Sequence, residues 1–277
     1  MPVLVGLVVA MSYGSGDFLG GLASKQARTL AVLTLVQLVA VAGAVVVALA
    51  AGGHATTTDL VMSAGSGLLN VVALGALYRA LAIGQIGQVA PVAAVIGAVL
   101  PVVWGLATGE RPSLLAVVGV VLAIVAGGLV SIERESERGH WTTRALPLAV
   151  AAGVGFGSSF ILFAETSHGS GFWPVLAARG AALCGVVIVA RLVRTPFAMP
   201  RASRLQSLAA GGLDVLASTA LLVAVRAGLI ATVAPVVSLT PGFTVAHAWW
   251  YLHQRATRLQ LVGLVVGLIG LVMIAAG

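Results

Sequence analysis

Three observations predict an all-α integral membrane protein of ten transmembrane helices, built as two inverted five-helix repeats. The first is composition: 60% of the 277 residues are hydrophobic and only 8% are charged, against about 25% charged in an ordinary soluble domain. A soluble core has no room for that much apolar surface. The second is run length. Unbroken apolar stretches of about twenty residues match the hydrocarbon thickness, and inside it only helices and closed barrels satisfy their own backbone. The short alternating segments of a barrel are absent. The third is an internal duplication, described below.

Helices are expected near 3–22, 30–50, 60–81, 86–107, 113–132, 145–164, 173–192, 206–226, 230–251 and 258–276. The first run has no basic leader and is long enough to span, so it is read as a helix and not a cleaved signal. The 35 glycines suit membrane helices, where small residues let backbones approach. The longest polar stretches, Glu133–Arg144 and Arg191–Arg204, are too short for a soluble domain. Lys25, Arg28, Arg79, Arg134, Arg138, Arg144, Arg191, Arg194, Arg201, Arg204, Arg255 and Arg258 fall at the odd-numbered connections, and Arg111 and Arg226 at the even ones. By the positive-inside rule the odd connections face the cytoplasm and both termini lie outside. The net charge of +7 is therefore an orientation signal, and no nucleic-acid partner is expected. Cys184 is alone, in an apolar run, so no intrachain disulfide can form.

The duplication pairs residues 1–135 with 136–277. Val89-Ala90-Pro91-Val92 recurs as Val233-Ala234-Pro235-Val236 at an offset of 144. At that offset Gly84 meets Gly228, Arg111 meets Arg255, Gly119 meets Gly263 and Asn70 meets Asp214. Tyr13-Gly14-Ser15 matches Phe156-Gly157-Ser158 at 143. Five helices per half is an odd number, so the second half enters from the opposite side. Such inverted halves are a recognised basis for alternating access around a midplane site.

In order and spacing, Tyr13-Gly14-Ser15, Tyr78-Arg79-Ala80-Leu81, the two Val-Ala-Pro-Val segments, Gly109-Glu110-Arg111, Gly119 and Ala224-Val225-Arg226-Ala227-Gly228 make the chain resemble EamA-type members of the drug/metabolite transporter superfamily. The resemblance covers essentially the whole chain. It implies ten helices in a five-plus-five repeat and export of metabolites, amino acids or drugs. The chain departs from the pattern at His253-Gln254-Arg255, where a Gly-Glu pair is typical. It departs also in its charge count, which puts the termini outside where the family's are cytoplasmic.

Ionisable residues in mid-helix are costly and mark function. Asp17 and Tyr13 share a face of the first helix; the alternative is an interfacial Asp17 paired with Lys25 or Arg28. Ser63, Ser66 and Asn70 form a stripe in the third helix, and Ser207, Gly211, Asp214 and Ser218 form its match in the eighth. These line a cavity or glue helices. Arg179 in the seventh helix, with Gln37 as its counterpart in the second, binds an anionic group of the substrate or pairs with a carboxylate such as Asp214. Thr240, Thr244, His247 and Tyr251 lie on one stripe of the ninth helix. Asp17, Asp214 and His247 are candidate proton carriers, His247 because imidazole titrates near neutrality; a core histidine bonded to a carbonyl is the alternative. Pro91 and Pro235, with Pro101 and Pro241, are hinge or kink positions. Glu110 is read as structural, at the N-terminus of the fifth helix. Trp249, Trp250 and Tyr251 resemble an aromatic belt.

The functional expectation is a secondary active transporter, an exporter of small polar metabolites or drugs by alternating access, with proton coupling an open element. A passive uniporter or exchanger is the alternative within transport; a membrane enzyme or a structural subunit are the alternatives outside it. No enzymatic activity, cofactor or metal site is expected. Partners are a small-molecule substrate, the bilayer and protons, with the chain a monomer or homodimer in the cell membrane.

Overall fold

A computed structural model describes residues 2–83, 86–130, 145–252 and 257–277, without the side chains of 78, 81–83, 86–91, 248 and 252. Among these residues every regular element is helical: α1 (Pro2–Ser24), α2 (Thr29–Ala51), α3 (Thr57–Ile83), α4 (Ile86–Ala107), α5 (Leu114–Val130), α6 (Ala145–Ala164), α7 (Trp173–Leu192), α8 (Arg201–Ala227), α9 (Ile230–Val237), α10 (Thr240–Leu252) and α11 (Arg258–Ala276), with one 3-10 turn at His168–Ser170. Eight segments are long and apolar enough to cross a membrane, the α9–α10 pair counting as one; Val92–Ala107 and Leu114–Val130 are apolar but shorter. Leu38, Val46, Leu49, Leu114, Val265 and Leu268 are among the many large apolar side chains left exposed, as a lipid-facing surface requires. These features make the chain a multi-pass membrane protein.

The expected ninth helix is broken. α9 ends at Val237 and α10 begins at Thr240, with Pro235 inside α9. Pro241 has no N–H to give to the Val237 carbonyl. The Thr240 hydroxyl donates to that carbonyl instead, and Ser238 Oγ donates to the Pro235 carbonyl, both at 2.7 Å. Prolines on both sides and hydroxyls at the gap thus make a break that costs few unmet hydrogen bonds.

The packing partners follow a pattern. α1 lies on α8 and α3 on α6; α2 contacts α8, α7 contacts α3, and α2 and α7 contact each other; α5 lies on α11. Small residues set these distances. In the α5–α11 seam Gly119 faces Gly270 and Ile274, while Gly263 faces Leu129 and Val130, so the two helices run antiparallel. A Cβ on Gly67 of α3 would overlap the Ala178 carbonyl of α7. One on Gly211 of α8 would stand 2.7 Å from the Val36 carbonyl of α2.

The connections at 52–56, 108–113, 165–172 and 228–229 gather at one end with both termini: Gly228 abuts Pro2, Gly277 abuts Ser113, and the His54 amide donates to the Gly169 carbonyl at 2.9 Å. The opposite, arginine-rich end carries Lys25, Arg28, Arg191, Arg194, Arg201, Arg204 and Arg258. Glu133–Arg144, His253-Gln254-Arg255 and the side chain of Pro91 lie outside the described residues.

Candidate functional site

α1 separates an inner face from a lipid face. Leu4, Val8 and Met11 are exposed, and at 3.6 residues per turn Ser15, Phe18 and Leu22 continue their stripe to where α10 covers it, with Phe18 buried against His247 and Tyr251. Tyr13 and Asp17 lie on the other side of the helix, between the contact Gly16 makes with Ala210 and Leu213 of α8 and the contact Gly14 makes with Thr240 and Phe243 of α10. α8 has the same logic. Gly211 meets α2 and Ala210 meets α1, which leaves Asp214 and Ser218 on the face between them.

Arg179 joins these faces. Its Nε donates to Ser218 Oγ and its Nη2 to Tyr13 Oη, each at 2.9 Å. Its Nη1 stands 3.0 Å from Asp214 Oδ2, with the two side chains 14% and 15% exposed. That contact lies off the hydrogen-bond axis, so Oδ2 is held by charge alone. Ser218 Oγ in turn donates to the Asp214 main-chain carbonyl. A guanidinium has five N–H donors; two make hydrogen bonds here, which leaves the Nη1 pair beside Asp214 and one on Nη2 for a further acceptor. Tyr13 Oη accepts from Arg179 and keeps its own proton to donate.

Asp17 is exposed and has no ion-pair partner among the described residues, neither Lys25 nor Arg28. It lies one turn beyond Tyr13 on the same inner face of α1. An accessible carboxylate on the inward face of a membrane helix requires a hydrated cavity. Tyr13, Asp214 and Asn70 all fall near the midpoints of their helices, about 16–20 Å along them at 1.5 Å per residue.

Asn70, at the matching sequence offset from Asp214, and Gln37, near that offset from Arg179, are neutral. Asn70 is exposed on the α3 face it shares with Ser63 and Ser66. Ser63 Oγ donates to the Asp59 carbonyl, and Ser66 Oγ meets Ser159 Oγ at 3.0 Å and the Ser159 carbonyl at 2.7 Å. Gln37 is buried, and its Oε1 has no partner among the described residues.

His247 is not part of this cluster. Its Nδ1 donates to the Phe243 carbonyl at 2.7 Å, and its Nε2 is 3.3 Å from Ser15 Oγ, on the lipid-side stripe of α1. It lines a groove of about 350 Å³ with Phe18, Gln206, Trp250 and Tyr251. Thr244 bonds the Gly14 carbonyl at 3.1 Å, and Pro235 sits fully buried in α9.

Sequence spacing missed the bonds that close the terminus end. Asp59 accepts from Ser167 N and Oγ at 2.7 and 2.8 Å as well as from Thr56. Arg226 donates to the carbonyls of Gly171 and Ser167 and to Ser170 Oγ. The Thr56-x-x-Asp59 spacing is a capping-box signal at the start of α3; the cross-chain partners have no sequence signature. Glu110 proves to cap α9 and not α5, its oxygens accepting from Ile230 N and Ala231 N.

No family model matches the chain, and no curated protein matches it. Of 28 matching solved chains, one crystal structure aligns with a TM-score of 0.74 at 17% identity, over 98% of this chain and 95% of that one. At that identity the likeness concerns the fold alone: essentially the whole chain adopts a fold already seen in a crystal.

Proposed function

We propose that the chain is a secondary transporter of small zwitterionic or cationic metabolites or drugs, built from ten spans in two inverted halves. The observation that carries it is the Arg179–Asp214–Tyr13 cluster with an accessible, unpaired Asp17 beside it, at mid-membrane depth. With both carboxylates ionised the group holds one positive and two negative charges. A substrate ammonium fits between Asp17 and Asp214, and a substrate carboxylate fits the N–H groups of Arg179 that make no hydrogen bond. The packing pattern supports the repeat. Exchanging the halves maps α1–α8 onto α6–α3 and α2–α8 onto α7–α3, and it maps the antiparallel α5–α11 seam onto itself. It also maps Gly67 against Ala178 onto Gly211 against Val36.

The membrane is the cell membrane, with the arginine-rich end cytoplasmic by the positive-inside rule. The closed terminus end then corresponds to a state whose cavity faces inward, which suits an exporter. The resemblance to EamA-type transporters supports export but not this orientation, since the family's termini are cytoplasmic. Asp17 is the residue proposed to couple protons, since it alone of the central carboxylates lacks a cation.

The test is efflux from liposomes loaded with amino acids, nucleosides or cationic drugs, with and without a proton gradient. Selective efflux that answers to the gradient is expected, and Asp17→Asn should weaken efflux and make what remains indifferent to the gradient. Efflux indifferent to the gradient in the wild type would leave a uniporter or exchanger. Absence of efflux for every class would remove the transport reading.

A further inference from the structure

The terminus end is tied by bonds between helices far apart in sequence, none of which the central site uses. Trp104 Nε1 of α4 donates to Glu165 Oε1 beyond α6 at 2.7 Å, and Asp59 joins α3 to the α6–α7 connection. Glu110 makes the most specific of them. It stands in the α4–α5 connection, and its Oε1 and Oε2 accept from the amides of Ile230 and Ala231 at 2.7 and 2.8 Å. Those amides open α9 and have no partner inside it. A carboxylate there also meets the positive end of the helix dipole. The approach depends on Gly105, where a Cβ would collide with Glu110 and Ile230.

The helix that Glu110 holds is unusual. α9 has only eight residues and is set off from α10 by the Ser238–Leu239 break. Its far end packs on α1, where Val236 lies against Gly6, and just past the break the Thr240 carbonyl lies against Gly14, next to Tyr13. Glu110 therefore grips one end of a short segment whose other end touches the helix that carries Tyr13 and Asp17.

We propose that Glu110 is the latch of the outer gate: its carboxylate clamps the α9 N-terminus while the terminus end is closed and releases it when that end opens. The proposal rests on the transport reading above. A helix cap contributed by its own preceding residues would ride with the helix through any motion. This cap comes from another hairpin, so separation of the α4–α5 connection from α9 has to break it.

The test is the distance between spin labels at Leu114→Cys and Gly169→Cys in the full chain with Cys184→Ser, reconstituted in liposomes. Leu114 is 81% exposed, and a side chain at Gly169 meets nothing within 4 Å. Wild type, Glu110→Gln and Glu110→Ala are compared. Glutamine keeps one acceptor but turns an NH2 toward the second amide. The long-distance, open fraction should rise in the order Glu, Gln, Ala, with the open-to-closed ratio up about tenfold for Ala. Hydrogen exchange at Ile230 and Ala231 should accelerate in the same order. Faster exchange with unchanged distances would make Glu110 a static cap and overturn the proposal. If the alanine variant does not accumulate, unchanged distances in Glu110→Gln do the same. Wild-type efflux is scored separately: a graded distance shift without efflux counts against the transport reading and leaves the latch standing.

Discussion

On the proposed repeat, the two halves place different chemistry at matching positions. Where the second half has Arg179, Asp214 and Ser218, the first has Gln37, Asn70 and Leu74, and Tyr13 of α1 corresponds to Phe156 of α6. The charged set is knit together by Arg179. The neutral set is open, with Asn70 exposed and Gln37 Oε1 buried without a partner among the described residues. Yet the close contacts around both sets are alike, with Gly67 and Gly211 each pressed on a neighbouring backbone. On that proposal, helix-packing residues keep their place between the halves while the polar residues diverge. On the transport proposal, one side of the cavity selects by charge and the other by neutral hydrogen bonds.

The largest effect should come from breaking the charged set on one side only. Arg179→Gln alone leaves Asp214 beside Asp17 without its counter-ion, and a buried carboxylate stripped of its partner costs about 3 kcal/mol. Thermal unfolding in detergent should show it as a drop of several degrees, with efflux lost. The double variant Arg179→Gln/Asp214→Asn copies the first half. It should regain most of the stability while efflux of charged substrates stays absent; if the double variant is as unstable as the single, the pair is not what holds α7 to α8.

Next in size are the glycines. Gly67→Ala should destabilise more than Gly211→Ala, because a Cβ at Gly67 would overlap the Ala178 carbonyl outright, whereas one at Gly211 would stand 2.7 Å from the Val36 carbonyl. About 3 against about 1–2 kcal/mol is expected for overpacking at such contacts, read by the same unfolding assay. Equal losses would mean that the two contacts are closer equivalents than their geometry suggests.

Ser66→Ala should cost about 1 kcal/mol, the usual worth of an interhelical hydroxyl bond, since its bonds to Ser159 have no counterpart where Ala210 meets Gly16. The smallest effect is expected from His247→Gln. His247 sits across α1 from Tyr13 and Asp17, so ligand-dependent stabilisation should be unchanged. A lost pH response in that variant would restore His247 as a proton carrier.

Much of the fold was legible because apolar length is an additive property of sequence. Runs of about twenty residues gave nearly every helix. The break at Ser238–Leu239 was less visible: Pro235 and Pro241 announced a kink, but only the hydroxyls of Ser238 and Thr240 decide that the helix stops. The Arg179–Asp214 pair was among the alternatives, because a buried arginine needs a carboxylate. That Tyr13 and Ser218 complete it depends on how α1 and α8 are rotated, which hydrophobic pattern barely constrains in helices rich in alanine and glycine. His247 shows the converse: a stripe on its own helix placed it with Thr240 and Thr244 correctly, but could not say which face of α1 it would meet. Glu110 was assigned to the nearest helix in sequence, when its partner is 120 residues away.

The divided ninth span also has a mechanical side. At 1.5 Å per residue the eight residues of α9 make an arm of about 12 Å and the thirteen of α10 one of about 20 Å. Their fulcrum is the Ser238–Leu239 gap, where Gly127 of α5 approaches the Ser238 carbonyl. Were the two arms to turn together, each ångström at the Ile230 tip would become about 1.6 Å at the far end, where Trp249, Trp250 and Tyr251 are 61%, 81% and 66% exposed. The chain thus holds an unequal lever with its short arm at the terminus end and its long arm ending in aromatic rings.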